Sequence, residues 1–424
     1  MCVDYEAYIK LLKEELIPAM GCTEPIALAL AGAKGRELLE ELPEKVIVKA
    51  SGSIIKNTKS VVVPNTNQMR GIPVAVAAGI VAGDAKLKLQ VLSKIKSEDI
   101  EKIKSFLNCT KIEVLPLEKG NVFDLIVEQY TKEHCSIVRI TDFHTNIVYL
   151  EKDGEEISSD LPKAEAEKYL LQDTEMDMES IWEFVNTVKI EKVEKIIKPQ
   201  MEYNLTIAEE GMKKNYGANI GKVLKNLYGD DVKNRACYMA AAASDARMNG
   251  CELPVVINSG SGNQGVTVTL PILVYAKELN LEGEKVIRAL LLANMIALYE
   301  KKGIGRLSAY CGAISAGAAA VAGIAYLYDE DYETIVHTVV NTLAISSGVI
   351  CDGAKASCAG KIALAIYTGL MGYEMYKNGQ EFVDGDGIIV KGIDGVFRNI
   401  GELATEGMNE TNKTIIKMMT RTKC

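Results

Sequence analysis

Histidine is scarce in this chain of 424 residues: it occurs only at positions 134, 144 and 337. His134 and His144 fall in one stretch of short β-rich runs, which makes a histidine-built zinc or non-haem iron site hard to assemble. Basic blocks are missing as well. The chain sets 48 Lys and Arg against 57 Asp and Glu, a net charge of −9, and no Lys/Arg run is long enough to follow a phosphate backbone. Nucleic acid and anionic membrane surfaces are therefore excluded as main partners. The opening MCVDYEAYIKLLKEEL is interrupted by Asp4, Glu6, Lys10, Lys13, Glu14 and Glu15, so no apolar leader reads there and a cytoplasmic protein is expected. Ten cysteines are too few for a disulfide scaffold; in a reducing compartment they stay free as ligands. Any metal site is expected to use sulfur.

With 48% hydrophobic and 25% charged residues, the chain has the balance of a packed globule and the length for two or three domains. Two runs, 307–328 and 334–351, lack Asp, Glu, Lys and Arg and raise the question of a membrane span. Eight alanines and three glycines in the first, and Thr334, Asn341, Thr342, Ser346 and Ser347 in the second, fit helices surrounded by other helices instead. Further helices read over 284–299 and 358–376, and charged helices over 161–199. Between them and the amino terminus, 97–107 reads as a polar helix followed by four strands, KIEVL, VFDLIVEQY, CSIVRIT and TNIVYLE, with one face solvated. Upstream, 4–16 is a helix, PAMGCTEP a loop, and 25–41 a helix with Thr23 as N-cap. KVIVKA and SVVV read as strands ending in the polar turns SGS and PNT. The expected fold is α+β and mostly helical: an amino-terminal helix–strand segment (1–83) packed on the catalytic domain, an inserted small α+β sheet module (84–158), and a helical carboxy-terminal catalytic domain (159–424).

Chemistry can be sought at four places. Cys311, Cys351 and Cys358 sit at the ends of the apolar helices, where helix N-termini would stabilise an anionic group. Three thiolates suit an iron–sulfur cluster with one open iron; the competing reading is cysteines that fill small-residue helix contacts. Cys22 lies just before a helix start, which should pull its thiol pKa below the free value of about 8.5 and fit it as nucleophile, base or metal ligand. Its neighbour Glu24 is an alternative acid–base group. In PVVINSGSGNQG, the glycines expose backbone N–H groups and Asn258, Ser259, Ser261, Asn263 and Gln264 add neutral donors, a set suited to a carboxylate at a helix N-terminus. A flexible connection is the plainer reading of the same loop. Ser51, Ser53, Asn65 and Asn67 make a weaker case of the same kind.

Taken together, PAMGCTEPIALALAGA, SDARMNGCELPVVINSGSGNQG, AYCGAISAG and SSGVICDGAKASCAGK resemble the iron–sulfur L-cysteine desulfidase family, related to the alpha chain of bacterial iron–sulfur L-serine dehydratase. The resemblance covers nearly the whole chain. It implies a [4Fe–4S] cluster held by Cys311, Cys351 and Cys358, Cys22 as catalytic base, and no pyridoxal phosphate. The implied reaction is β-elimination of L-cysteine, a small amino-acid substrate, to sulfide, ammonia and pyruvate. The block of polar residues around the loop would hold the substrate, and a homo-oligomer is expected. An L-serine or L-threonine dehydratase would share every residue named. A pyridoxal-phosphate lyase would need Lys355 or Lys361 as its Schiff-base lysine, and a non-catalytic cluster or amino-acid-binding protein would release no sulfide. Cys424, at the end of the chain, is either a solvated end or a mimic of substrate that caps the open iron.

Overall fold

The computed structural model describes residues 5–117, 120–157 and 170–421. Helix α1 (Tyr5–Glu15) buries Tyr8, Ile9, Leu11 and Leu12, one stripe of an amphipathic repeat. Strand β1 (Pro18–Met20), α2 (Thr23–Leu39), β2 (Lys45–Ala50), α3 (Gly52–Thr58), α4 (Ile72–Ala82) and α5 (Ser97–Cys109) follow. Then come β3 (Lys111–Pro116), β4 (Asp124–Tyr130), β5 (Cys135–Thr141), β6 (Ile147–Lys152) and β7 (Glu155–Glu156).

The sheet runs β3-β2-β4-β5-β6-β7, with β2 and β3 parallel and the other pairs antiparallel. It therefore takes one strand from 45–50, upstream of the 84–158 stretch. Val46, Val48, Leu125, Val127, Val138 and Ile140 are buried on one face, while Ile47, Lys49, Ile126 and Arg139 on the other are only partly covered, the alternation of a half-solvated sheet. Helix α2 covers the buried face. Gln129 Nε2 donates to Gly32 O at 2.9 Å and Ser136 Oγ to Gly35 O at 3.1 Å. A Cβ on Gly35 would stand 2.1 Å from Gln129 Nε2, so the contact requires glycine.

The helical part comprises α6 (Leu170–Asp173), α7 (Met178–Thr187), α8 (Glu194–Lys213), α9 (Ile220–Tyr228), α10 (Val232–Met248), a short strand β8 (Pro254–Val256), α11 (Gly262–Glu278), α12 (Glu284–Ile304), α13 (Gly312–Leu327), α14 (Tyr332–Ser346), α15 (Cys358–Lys377), α16 (Ile393–Glu402) and α17 (Asn409–Arg421). Helix α13 is its axis, buried from Ala313 to Leu327 and packed on α11, α12, α14 and α15. Its small residues set the distance: a Cβ on Gly317 would lie 2.6 Å from Ala365 Cβ on α15. The fold is thus α+β and mostly helical, and among the described residues no helix is long and apolar enough to cross a membrane.

Several local expectations need correction. PAMGCTEP is not all loop: Pro18–Met20 pairs antiparallel with Pro254–Val256 and ties the amino-terminal segment to the helical part. Cys22, not Thr23, is the N-cap of α2. SGS opens α3 rather than turning the chain, with Ser51 as N-cap accepting from Ile54 N–H, a role serine fills as well as it fills turns. SVVV is not a strand; only Val62 pairs, with Arg70. Helix α8 continues through Pro199, and residues 161–169 of the charged linker lie outside the described residues.

Candidate active site

Four helices open on one cavity. Helix α2 starts at Cys22 after Gly21, whose φ of +64° favours glycine and whose Cβ would lie 2.2 Å from Pro64 Cγ. Helix α11 starts at Ser261, whose hydroxyl accepts from Gln264 N–H. Cys311 is the N-cap of α13, and Cys358 is the first residue of α15 after Ser357. Cys351 comes from the segment between α14 and α15. An isolated antiparallel bridge between Tyr310 and Ile350 fixes it beside Cys311: Cys311 N–H donates to Val349 O at 3.1 Å and Cys351 N–H to Ala309 O at 2.6 Å. Cys22, Cys311, Cys351 and Cys358 all line the cavity. Cys22 and Cys358 also share an apolar contact group with Val61, Met248 and Ala354.

The amino-terminal segment and the sheet add further wall residues. Cys22 Sγ donates to Glu24 Oε2 at 3.0 Å, and Asn57 Nδ2 of α3 donates to Glu24 Oε1 at 2.8 Å. Thr23 Oγ1 donates to Gly260 O at 2.9 Å, locking α2 to the 258–264 loop. His144 reaches in from the turn between β5 and β6. Burial pushes it down to about 4, against the pull of Glu24. Burial also works against ionisation of Glu24, but the His144 field and the bonds from Cys22 and Asn57 outweigh it and hold the carboxyl below its usual range.

The expected low-pKa thiol at Cys22 is overturned. Burial, and then the adjacent Glu24 carboxylate, push it well above its ordinary value. A helix N-terminus contributes only a partial charge, and a fully desolvated thiol beside an anion loses more than that supplies. Cys22 is therefore a thiol hydrogen-bonded to a carboxylate.

The other residues read from the sequence divide sharply. Ser259, Ser261, Asn263 and Gln264 line the cavity. Asn258 does not: it is fully buried, with Nδ2 on Asn294 Oδ1 at 2.9 Å. Ser51 caps α3 and donates to Val122 O at 2.8 Å, Ser53 is buried within α3, and Asn65 Nδ2 donates to Leu92 O at 2.7 Å. These three hold backbone or fill space outside the cavity wall, and Asn57 is the α3 residue that reaches the cavity. Asn67 lies in the same turn region, with a φ of +54°. Lys355 and Lys361 both pair with Asp352 at 2.5 Å. Although burial opposes it, their ammonium groups hold Asp352 down at about 2. Cys424 lies outside the described residues. Arg247, His144 and Lys301 were not singled out in the sequence; only Arg247 stood within a motif noticed there, SDARMNG.

Residues 86–417 match the family model of the serine dehydratase alpha chain, and the chain belongs to that family. Among its relatives, the UPF0597 protein of Desulfitobacterium hafniense (strain Y51) is 51% identical over 415 residues, which cover 98% of this chain and 96% of the relative. The UPF0597 protein of Lachnoclostridium phytofermentans is 48% identical over 419 residues (98% and 99% covered), and that of Fusobacterium nucleatum subsp. nucleatum 40% over 422 (98% and 99%). Membership supports dehydratase- or lyase-type chemistry, and the family is known for iron–sulfur clusters. The cavity suits such a group. Of its three cysteines beyond Cys22, Cys311 and Cys358 lie at helix N-termini and Cys351 is held beside Cys311; all three face cations: Lys301 acts on Cys311 and Cys351, Lys361 on the same two, and Arg247 on Cys358. Among the described residues no three His, Cys, Asp or Glu side chains converge on a single ion. A multi-iron cluster takes its thiolates on separate irons and does not need that convergence.

Proposed function

We propose that this protein is an L-cysteine desulfidase, a carbon–sulfur lyase that converts L-cysteine to sulfide, ammonia and pyruvate. The observation that carries this reading is the meeting of Cys22, Cys311, Cys351 and Cys358, from separate segments, at one cavity ringed by helix N-termini. Cys311, Cys351 and Cys358 would hold a [4Fe–4S] cluster, with no pyridoxal phosphate required. When bound, a cluster with one iron free of protein ligands supplies a Lewis acid for the substrate's β-substituent.

The chain's own residues handle the proton. Cys22 Sγ receives the substrate α-proton and passes its own to Glu24 Oε2 across the 3.0 Å bond, so the pair takes up one proton and acts as a single base. The C–S bond breaks with its electron pair on sulfur, leaving aminoacrylate, which tautomerises to the imine and is hydrolysed by water to pyruvate and ammonia. Asn57 keeps Glu24 oriented through its other oxygen. Ser259, Ser261, Asn263 and Gln264 form the substrate side of the cavity. A reducing, cytoplasmic setting suits the free thiols.

The family match favours one second reading, an L-serine or L-threonine dehydratase of the same cluster type. Anaerobically prepared protein should contain about four iron and four sulfide per chain and release sulfide and pyruvate in equal amounts from L-cysteine. Turnover of L-serine or L-threonine with none of L-cysteine would replace the desulfidase by the dehydratase. An iron-loaded protein that turns over none of the three would be a binding protein.

A further inference from the structure

Two guanidinium groups line the cavity, and they differ in one respect. Arg306 bonds to the buried Glu15 at 2.8 Å and so brings its own counter-ion. Arg247, at the end of α10 and only 2% exposed, has no bonded carboxylate: Nη1 donates to Asn263 Oδ1 at 3.1 Å and approaches Met248 Sδ at 3.9 Å, the sulfurs of Cys22 and Cys358 lie within its field, and Nε has no hydrogen-bond partner among the described residues. The carboxylate whose field reaches it, Glu24, is already engaged by Cys22 and Asn57. Room for the Arg247 side chain is built in, since a Cβ on Gly262 would stand 2.1 Å from its Nε. A desolvated guanidinium without a bonded carboxylate is costly, and the first turn of α11 beside it adds N–H groups that no preceding turn can pair. Facing the same cavity, Gln264 Oε1 and Asn57 Oδ1 are buried acceptors without a donor among the described residues.

From this we infer that Arg247 is the specificity-determining anchor of the α-carboxylate, with Asn263 positioning its guanidinium and Gln264 and Asn57 accepting from the α-ammonium. The cavity is then matched to a zwitterion, a free amino acid, rather than to an amine or an N-acylated substrate. Resting on the lyase reading above, this assignment moves the carboxylate from the N–H groups and neutral donors of the loop, where the sequence placed it, to a side chain of the preceding helix.

The test uses the anaerobic iron-loaded protein and L-alanine, which has no β-leaving group, so that binding is read separately from elimination. By calorimetry the wild type should bind L-alanine and not ethylamine. Arg247→Gln should weaken L-alanine binding by about a hundredfold, as loss of a charged hydrogen-bond partner does, and Arg247→Lys should restore part of it. Asn263→Asp, nearly isosteric, gives the guanidinium an internal carboxylate and should weaken binding comparably with iron content unchanged. That variant keeps the test open if the arginine variants fold poorly. Wild-type affinity in Arg247→Gln or Asn263→Asp, or equal binding of ethylamine and L-alanine by the wild type, would overturn the assignment. So would loss of iron in Arg247→Gln with undiminished affinity in the loaded fraction, which would make Arg247 a counter-ion of the cluster. Failure to release sulfide from L-cysteine would remove the desulfidase reading and leave this binding result standing.

Discussion

Two groups of buried polar side chains lie close together along this protein, and one is closed while the other is open. Around β8, Asn204 bonds to Val256 and Thr269, Gln200 and Asn294 exchange bonds at 3.0 and 2.8 Å, and Asn258 bonds to Asn294. All four residues are fully buried. At the cavity, Asn57 Oδ1, Gln264 Oε1, His144 Nε2 and Arg247 Nε are equally buried and have no partner among the described residues. Buried polar groups are normally satisfied; the closed set holds structure, and the open set leaves its bonding capacity facing the cavity. Asn258 and Gln264 lie close in sequence and share one chemistry, and fall on opposite sides of that division.

The comparison can be broken most forcefully at the cysteines. Cys311→Ala, Cys351→Ala and Cys358→Ala should each lose most bound iron and lower activity by at least about a hundredfold; three variants with full iron content would refute the ligand set. Cys22→Ser should keep its iron and lose about 10²–10⁴ in kcat, the worth of a positioned base. Parallel iron loss would instead make Cys22 a ligand.

Next come paired substitutions across the two groups. Asn294→Ala strands Gln200 and Asn258 and should cost about 2–3 kcal/mol in denaturant unfolding. Gln264→Met leaves no partner behind and should change stability by less than about 0.5 kcal/mol while lowering kcat/KM about tenfold. Equal stability losses in the two variants would erase the distinction.

The smallest effect concerns Asp245, which accepts from Gly221 N–H at 2.9 Å under the first turn of α9 and whose Oδ1 has no partner among the described residues. Burial raises it to about 7. Between about pH 4 and 7 the folded chain then keeps a proton that the unfolded chain has released, so this group's contribution to stability falls as pH rises through that window. Asp245→Asn should flatten the pH dependence of Tm and gain about 1–3 kcal/mol at pH 8.

Much of this molecule could be read from its sequence where the signal was local. The alanine- and glycine-rich runs announced α13 and its neighbours, and alternation announced the strands of the sheet. Cys311 and Cys358 were recognisable as helix-start residues because each stands near the start of an apolar run, Cys358 directly after the turn DGAKAS. Where tertiary contact decides, local reading failed. Ser51 and Asn65 sit in motifs that suit turns, caps and ligand loops alike, and only the positions of Val122 and Leu92 settle which. The three-residue strand at Pro18–Met20 has no periodicity to detect. The thiol of Cys22 was judged by its helix end, whereas its burial and Glu24 govern it. Arg247 and His144 belong to a helix end and a sheet turn, and nothing in either segment alone says that the two meet.

Helix α2 gives the sheet a hold on the chemistry. One end of it is the Cys22 corner, and some ten to thirteen residues along it, Gly32 and Gly35 accept the bonds from Gln129 and Ser136. At about 1.5 Å per residue, the helix is a rigid rod of about 20 Å between the acid–base pair and the sheet. The same sheet sends His144 back to the wall at which the rod ends. Rod and sheet thus form a closed loop of contacts, and a tilt of the sheet must displace both the sulfur and the imidazole. A methyl group added at Gly35, remote from any substrate, would therefore be felt as a misaligned base.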